Sequence, residues 1–183
     1  MGLRIAIFDD NKNIRESISL LLATVPQFDV VGSYCHVLDC IDDVRESRPD
    51  IVLMDIEMPG MTGIEAVSKI KKEFPHIRIL IQTVFADDSK ILEALCAGAN
   101  GYILKNTSPV KMLEAVSDVQ NGGVAFNPAI AAKVVRLFHN IIAPSQSIND
   151  YQLTEREKDV LHLLTEGMPM PRIAEKLFLG YET

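Results

Sequence analysis

The chain has 183 residues, 48% of them hydrophobic, enough for one full domain plus a smaller piece around a buried core. A formal charge of -7 excludes a generally basic, nucleic-acid-coating surface. No apolar run approaches the roughly 20 residues that span a bilayer, and MGLRIAIFDD lacks the apolar stretch and cleavage site of a signal peptide. Gly2 does not make a myristoylation signal, because Ala6 stands where Ser or Thr is needed. Cys35, Cys40 and Cys96 are odd in number and fit no metal-ligand spacing. They read as reduced, part-buried thiols of a cytoplasmic protein, and the scattered histidines 36, 76, 139 and 162 make no zinc cluster with them.

Residues 1 to 121 alternate between two periods. Leu3 to Phe8 reads as a strand and Asn11 to Ala23 as a helix with Ile14, Ile18, Leu21 and Leu22 on one face. Phe28 to Tyr34 is strand-like and Val37 to Arg45 helical. The apolar run IVLM, 51 to 54, suits a strand covered on both faces. Thr62 and Glu65 form a capping box, so a helix runs from there to Phe74 before Pro75. IRILIQT, 77 to 83, is the fourth strand, Ser89 to Ala97 a helix, and Gly101 to Leu104 the fifth strand. Ser108 caps a helix with Pro109 at its first position, ending near Asn121. Five strand–helix pairs imply right-handed crossovers and a five-stranded parallel sheet with helices on both faces, an α/β architecture.

The rhythm then changes. Asn127 caps a helix opening at Pro128 with an apolar stripe through Val134, Leu137, Phe138 and Ile141. IAPSQSIND, 142 to 150, has linker composition. Thr154 and Glu157 make a second capping box, opening a helix that carries Val160, Leu161 and Leu164 and stops at Gly167. A last helix is expected over 171 to 178.

In such a sheet, function gathers at the carboxyl ends of the strands. Asp9 and Asp10 end the first strand and Asp55 the third, its expected neighbour. Three acids at one edge repel each other and need counter-charge. Lys105 at the end of the fifth strand supplies one, and a divalent cation with oxygen ligands a second. Magnesium suits such a site. Thr83 ends the fourth strand and offers a hydroxyl. Acids, a lysine and a hydroxyl around a metal, with no general base, favour phosphoryl transfer onto a carboxylate. Singly, each Asp is better read as a solvated loop acid capping the next helix, and Asp87 and Asp88 are left in that class.

FDD (8 to 10), LMDIEMPGMTG (53 to 63), the QT of the fourth strand and GYILK (101 to 105) resemble a response-regulator receiver domain over residues 1 to 121. The resemblance implies a flavodoxin-like doubly wound fold and phosphorylation of Asp55 by a sensor histidine kinase. It implies Mg2+ held by Asp9, Asp10, Asp55 and the main-chain carbonyl of Glu57. Thr83 and Lys105 would contact the phosphoryl oxygens, with Tyr102 as a rotamer switch coupled to Thr83. It implies no turnover enzyme beyond the receiver catalysing its own phosphorylation and dephosphorylation. Tyr102 equally suits a half-buried strand tyrosine. Val84 departs from the smaller residue many receivers carry there. With Phe85 it is expected to limit water access and lengthen the phosphorylated lifetime.

LTEREKDVLHLLTEGMPMPRIAEKLF (153 to 178) resembles the opening of a LuxR-type helix-turn-helix domain of NarL-like regulators, with Pro169, Met170, Pro171 and Arg172 departing from its pattern. The expected organisation is a receiver (1–121), a linker with one helix (122–150) and an incomplete all-α helix-turn-helix segment (151–183). The chain is expected to stop where that family's DNA-reading helix begins. Residues 151 to 183 hold four basic against six acidic side chains, so they offer no phosphate-neutralising charge. A transcriptional regulator with promoter DNA as partner of the intact protein, a possible phosphorylation-dependent homodimer and no membrane association follow from the resemblance. The alternative is a receiver-based interaction module that does not bind DNA. A haloacid-dehalogenase-type phosphatase is disfavoured, because Asp55-Ile56-Glu57 lacks that family's second acid and no cap domain is present.

Overall fold

The computed structural model describes residues 2–142, 154–165, 172–173 and 176–177. The chain divides into two compact units, Met1–His139 and Asn140–Thr183. In the first, β1 (Leu3–Phe8), α1 (Lys12–Leu22), β2 (Phe28–Tyr34), α2 (Cys40–Ser47), β3 (Ile51–Met54), α3 (Gly63–Glu73), β4 (Arg78–Thr83), α4 (Asp88–Cys96), β5 (Gly101–Leu104) and α5 (Pro109–Gln120) alternate. A two-residue strand, β6 (Ala125–Phe126), follows, and then α6 (Pro128–Ile142). All pairings are parallel, in the order β2-β1-β3-β4-β5-β6.

The sheet therefore has six strands, not the expected five. β6 is too short to show a period, so no apolar alternation announces it. Backbone pairing creates it: Gly101 lies opposite Ala125, and a Cβ at Gly101 would sit 2.7 Å from the Ala125 carbonyl oxygen. Only glycine lets the strands approach that closely. α2 starts three residues later than expected, at Cys40, because Val37 is buried in the preceding turn rather than on the helix.

Alternation along the strands divides the core in two. Ala6, Phe8, Val52, Met54, Ile79 and Ile81 face a cluster completed by Val44, Val67, Ile70, Ile91, Ala94 and Ile130 from α2, α3, α4 and α6. Ile5, Ile7, Ile51, Leu53 and Leu80 face the other side, under Ile18 and Leu22 of α1 and Met112, Val116 and Val119 of α5. Successive strand residues point to opposite faces, so an unbroken apolar run serves both layers. The Thr62–Glu65 capping box is formed reciprocally.

α6 is anchored at its start. The Ile130 amide donates to Asn127 Oδ1 at 2.9 Å, Ile130 is fully buried, and Lys133 Nζ lies 2.8 Å from Asp88 Oδ1 on α4. Ile130→Ala should cost about 3 kcal/mol, the usual penalty for a buried aliphatic truncation, read as a lowered urea midpoint at unchanged slope. Val135→Ala, on the exposed side of α6, should stay within about 0.5 kcal/mol.

In the second unit, α7 (Glu155–Thr165) opens on the expected capping box. The Thr154 amide and hydroxyl both donate to Glu157 Oε2 at 2.8 Å. Leu163 and Ile173 are buried, and the Leu177 amide donates to the Ile173 carbonyl at 2.9 Å. The expected linker from 143 onward, the Gly167 stop, most of the 171–178 helix and the segment after Leu177 lie outside the described residues. Among the described residues no helix is long and apolar enough to cross a membrane. All three cysteines are free. Cys35 and Cys96 are exposed, against the part-buried expectation, and only Cys40 is buried.

Candidate functional site

β1 and β3 are neighbours, and their ends bring the acids together. The Asp55 amide donates to the Phe8 carbonyl at 2.9 Å, so Asp55 leaves β3 level with Asp9. α3 begins hard against this point. A Cβ at Gly63 would fall 1.7 Å from the Asp55 carbonyl oxygen, so no other residue fits without displacing the turn. Carboxylate oxygens of Asp9, Asp10 and Asp55 lie within 4.8 Å of one another. Asp9 and Asp55 are 2% and 6% exposed, whereas Asp10 is open to solvent.

Lys105 reaches this group because its amide donates to the Thr83 carbonyl at 2.8 Å, extending the β4–β5 ladder by one residue. Its Nζ is 2.6 Å from Asp9 Oδ2 and 2.7 Å from Asp55 Oδ2. The other oxygens accept main-chain bonds, Asp55 Oδ1 from the Ile56 amide at 2.7 Å and Asp9 Oδ1 from the Asn11 amide at 2.9 Å. Arg15 Nη1 donates to the carbonyls of Asp9 and Asp10 at 2.6 and 3.1 Å, holding the β1–α1 turn in place.

Burial pushes the Asp9 carboxyl up, and the Lys105 and Asn11 hydrogen bonds only partly offset this. Burial alone would lower the Lys105 ammonium, but its bonds to Asp55 and Asp9 and their charges outweigh it and raise it. One partner of the ion pair is thus stabilised in its charged form and the other is not. The site holds more negative charge than one lysine neutralises.

Thr83 is fully buried, and its Oγ1 has no hydrogen-bond partner. A hydroxyl normally finds a partner when buried, so this one stands out at the strand end. Tyr102 is also fully buried rather than half-buried, its hydroxyl donating to the Phe85 carbonyl at 3.0 Å. Burial raises the Tyr102 phenol above its ordinary range, so it stays a donor. Val84, next to buried Thr83, is exposed. Glu57 follows Asp55 by two residues, and its carboxylate turns to Lys90 Nζ at 3.0 Å. Asp87 and Asp88 stand at the start of α4, as loop or cap residues should.

Residues 5–117 match the family model for the response regulator receiver domain. This chain belongs to the response-regulator receiver family. The chain is 35% identical to an uncharacterized transcriptional regulatory protein of Bacillus subtilis, YhcZ, over 99% of this chain and 84% of that one. It is 33% identical to the response regulator protein VraR of Staphylococcus aureus, over 100% of this chain and 85% of VraR. The crystal structure of a LuxR-family two-component response regulator from Aurantimonas superposes with a TM-score of 0.71 at 33% identity, covering 75% of this chain and 99% of that one.

Lys90, Arg15 and Asn11 were not legible as site residues. Arg15 carries a weak signal, a cation one helical turn beyond paired acids. Lys90 carries none, since a lysine on an exposed helix face is the ordinary case.

Proposed function

We propose that this receiver is the input half of a transcriptional response regulator, with Asp55 accepting a phosphoryl group from a sensor histidine kinase. The supporting observation is the junction of Asp55, Lys105 and the unpartnered Thr83 hydroxyl at neighbouring strand ends. An Asp55 oxygen attacks phosphorus, the phosphorus–nitrogen bond of the donor breaks, and the imidazole leaves. Lys105 already contacts Asp55 and can follow one new oxygen, and Thr83 Oγ1 can donate to another, so charge developing on the phosphoryl group meets donors in place. The converging carboxylates of Asp9, Asp10 and Asp55 suit magnesium; with the Glu57 main-chain carbonyl they would hold it, and it would supply neutralisation of the phosphoryl charge.

Phosphorylation then biases a two-state surface. Thr83 engages the phosphoryl oxygens, and Tyr102, bonded to the loop after β4, is the residue through which that loop and β5 respond. Residues 1–121 are the receiver in this reading, 122–150 a linker and 151–183 part of a LuxR-type helix-turn-helix domain. The protein acts in the cytoplasm in this reading, and its partners are a sensor histidine kinase, promoter DNA for the intact protein and a phosphorylation-dependent second copy. It is a switch rather than a turnover enzyme, and at most it catalyses its own phosphorylation and dephosphorylation.

Incubation with a small phosphodonor and magnesium should add one phosphoryl group per chain by intact mass. Asp10→Ala should weaken magnesium binding at least about tenfold, as loss of a ligand does, while uptake recovers at high magnesium because the nucleophile is intact. Uptake that is indifferent to chelation of magnesium would count against the site.

A further inference from the structure

We infer that Lys90 is a positioning residue of the phosphoryl site, strapping the loop after β3 to the loop after β4 and setting how fast water reaches an aspartyl phosphate. The inference rests on Asp55 being the phosphoacceptor.

Lys90 is the third residue of α4, outside the acidic cluster, yet it touches both loops that frame it. Its Nζ lies 3.0 Å from Glu57 Oε1 and 3.4 Å from the centroid of the Phe85 ring. Glu57 stands two residues beyond Asp55, and Phe85 two beyond Thr83. β3 and β4 are paired, so the two loops leave adjacent strand ends. One ammonium therefore binds a carboxylate of one loop and a ring face of the other. Phe85 is fixed from beneath as well, through its carbonyl and the Tyr102 hydroxyl.

An exposed ion pair contributes little by itself, and Glu57 is mostly exposed. A cation shared between a carboxylate and an aromatic face is different, because the second contact fixes where the first must lie. Holding Glu57 and Phe85 together narrows the gap between them. Hydrolysis needs that gap. A water oxygen bonds to phosphorus from the side opposite the Asp55 oxygen, the phosphorus–oxygen bond to Asp55 breaks, and Asp55 returns as a carboxylate. Orthophosphate leaves and the water's proton passes to solvent. Lys105 Nζ already occupies one side of Asp55, bridging its Oδ2 to Asp9 Oδ2, and in this reading the attacking water comes between the two loops.

The test uses the full chain, phosphorylated with acetyl phosphate and magnesium and freed of donor, with phosphoryl decay followed by intact mass. Lys90→Met should speed decay about fivefold, the scale of one rim ion pair plus one cation–π contact expressed as a rate. Lys90→Arg should return the lifetime to within about twofold, since a guanidinium serves both contacts. Glu57→Gln combined with Lys90→Met should be no faster than Lys90→Met alone. A readout independent of metal and phosphoryl group comes from the ring: the Lys90 ε-methylene protons should be shifted upfield, and Phe85→Leu should abolish that shift. Decay unchanged in Lys90→Met, or an unshifted Lys90 methylene, overturns the strap. Failure of the unaltered chain to take up a phosphoryl group overturns the phosphoacceptor reading instead.

Discussion

Asp55→Asn should abolish phosphoryl uptake, taking a yield near one group per chain below about 1% of that value, because an amide is no nucleophile at phosphorus. The variant should nonetheless fold. An asparagine keeps an oxygen for the 2.7 Å contact with Lys105 Nζ. Its amide then faces the Ile56 N–H, which the native Oδ1 accepts at 2.7 Å, so one hydrogen bond is lost. Against that loss, a negative charge leaves a cluster in which Asp55 helps to raise the Asp9 carboxyl. The two effects oppose each other, each on the order of 1 kcal/mol, so the urea midpoint should move little. Intact mass after treatment with donor and magnesium measures uptake, and circular dichroism checks the fold. Full-yield modification of Asp55→Asn would show that another residue is the acceptor.

The acidic site could be read from sequence because of a property of parallel sheets. Every strand runs the same way, so residues immediately after strands 1, 3, 4 and 5 must share one edge, whatever the connecting helices do. Asp9, Asp55, Thr83 and Lys105 needed only correct strand ends, and those were marked by apolar runs that stop abruptly at a charge or hydroxyl. What failed had no such signature. β6 exists because Gly101 admits a close neighbour, which is a pairwise fact invisible in either segment alone. Val37 is apolar but packs from a turn, so a periodicity argument pulled it into α2. Lys90 of α4 meets Glu57 of the loop after β3 across 33 positions, a tertiary contact with no local signature.

Lys105→Met should destabilise the metal-free receiver by about 2–3 kcal/mol at neutral pH, the scale of leaving buried charge without its partner. Lys105 is the cation in contact with both Asp9 and Asp55, at 2.6 and 2.7 Å, and methionine fills much of the same volume without the charge. Burial already holds the Asp9 carboxyl up, and the Lys105 hydrogen bond and charge are among the influences that lower it. Removing them must raise it further. The sign follows from linkage. A carboxyl whose folded value lies above its unfolded one costs stability once it is ionised, and costs nothing where both states hold the proton. The penalty of Lys105→Met should therefore grow as pH rises through and above the ordinary carboxylate range, and shrink as the medium is made acid. Magnesium should reverse it from the other direction, since an ion that binds only the folded site stabilises in proportion to the logarithm of its concentration over Kd. Urea midpoints at pH 5 and pH 7, with and without magnesium, distinguish this from simple loss of packing, which would be indifferent to both. A penalty that is the same in all four conditions would mean that Lys105 holds the fold through its methylenes and not through its charge.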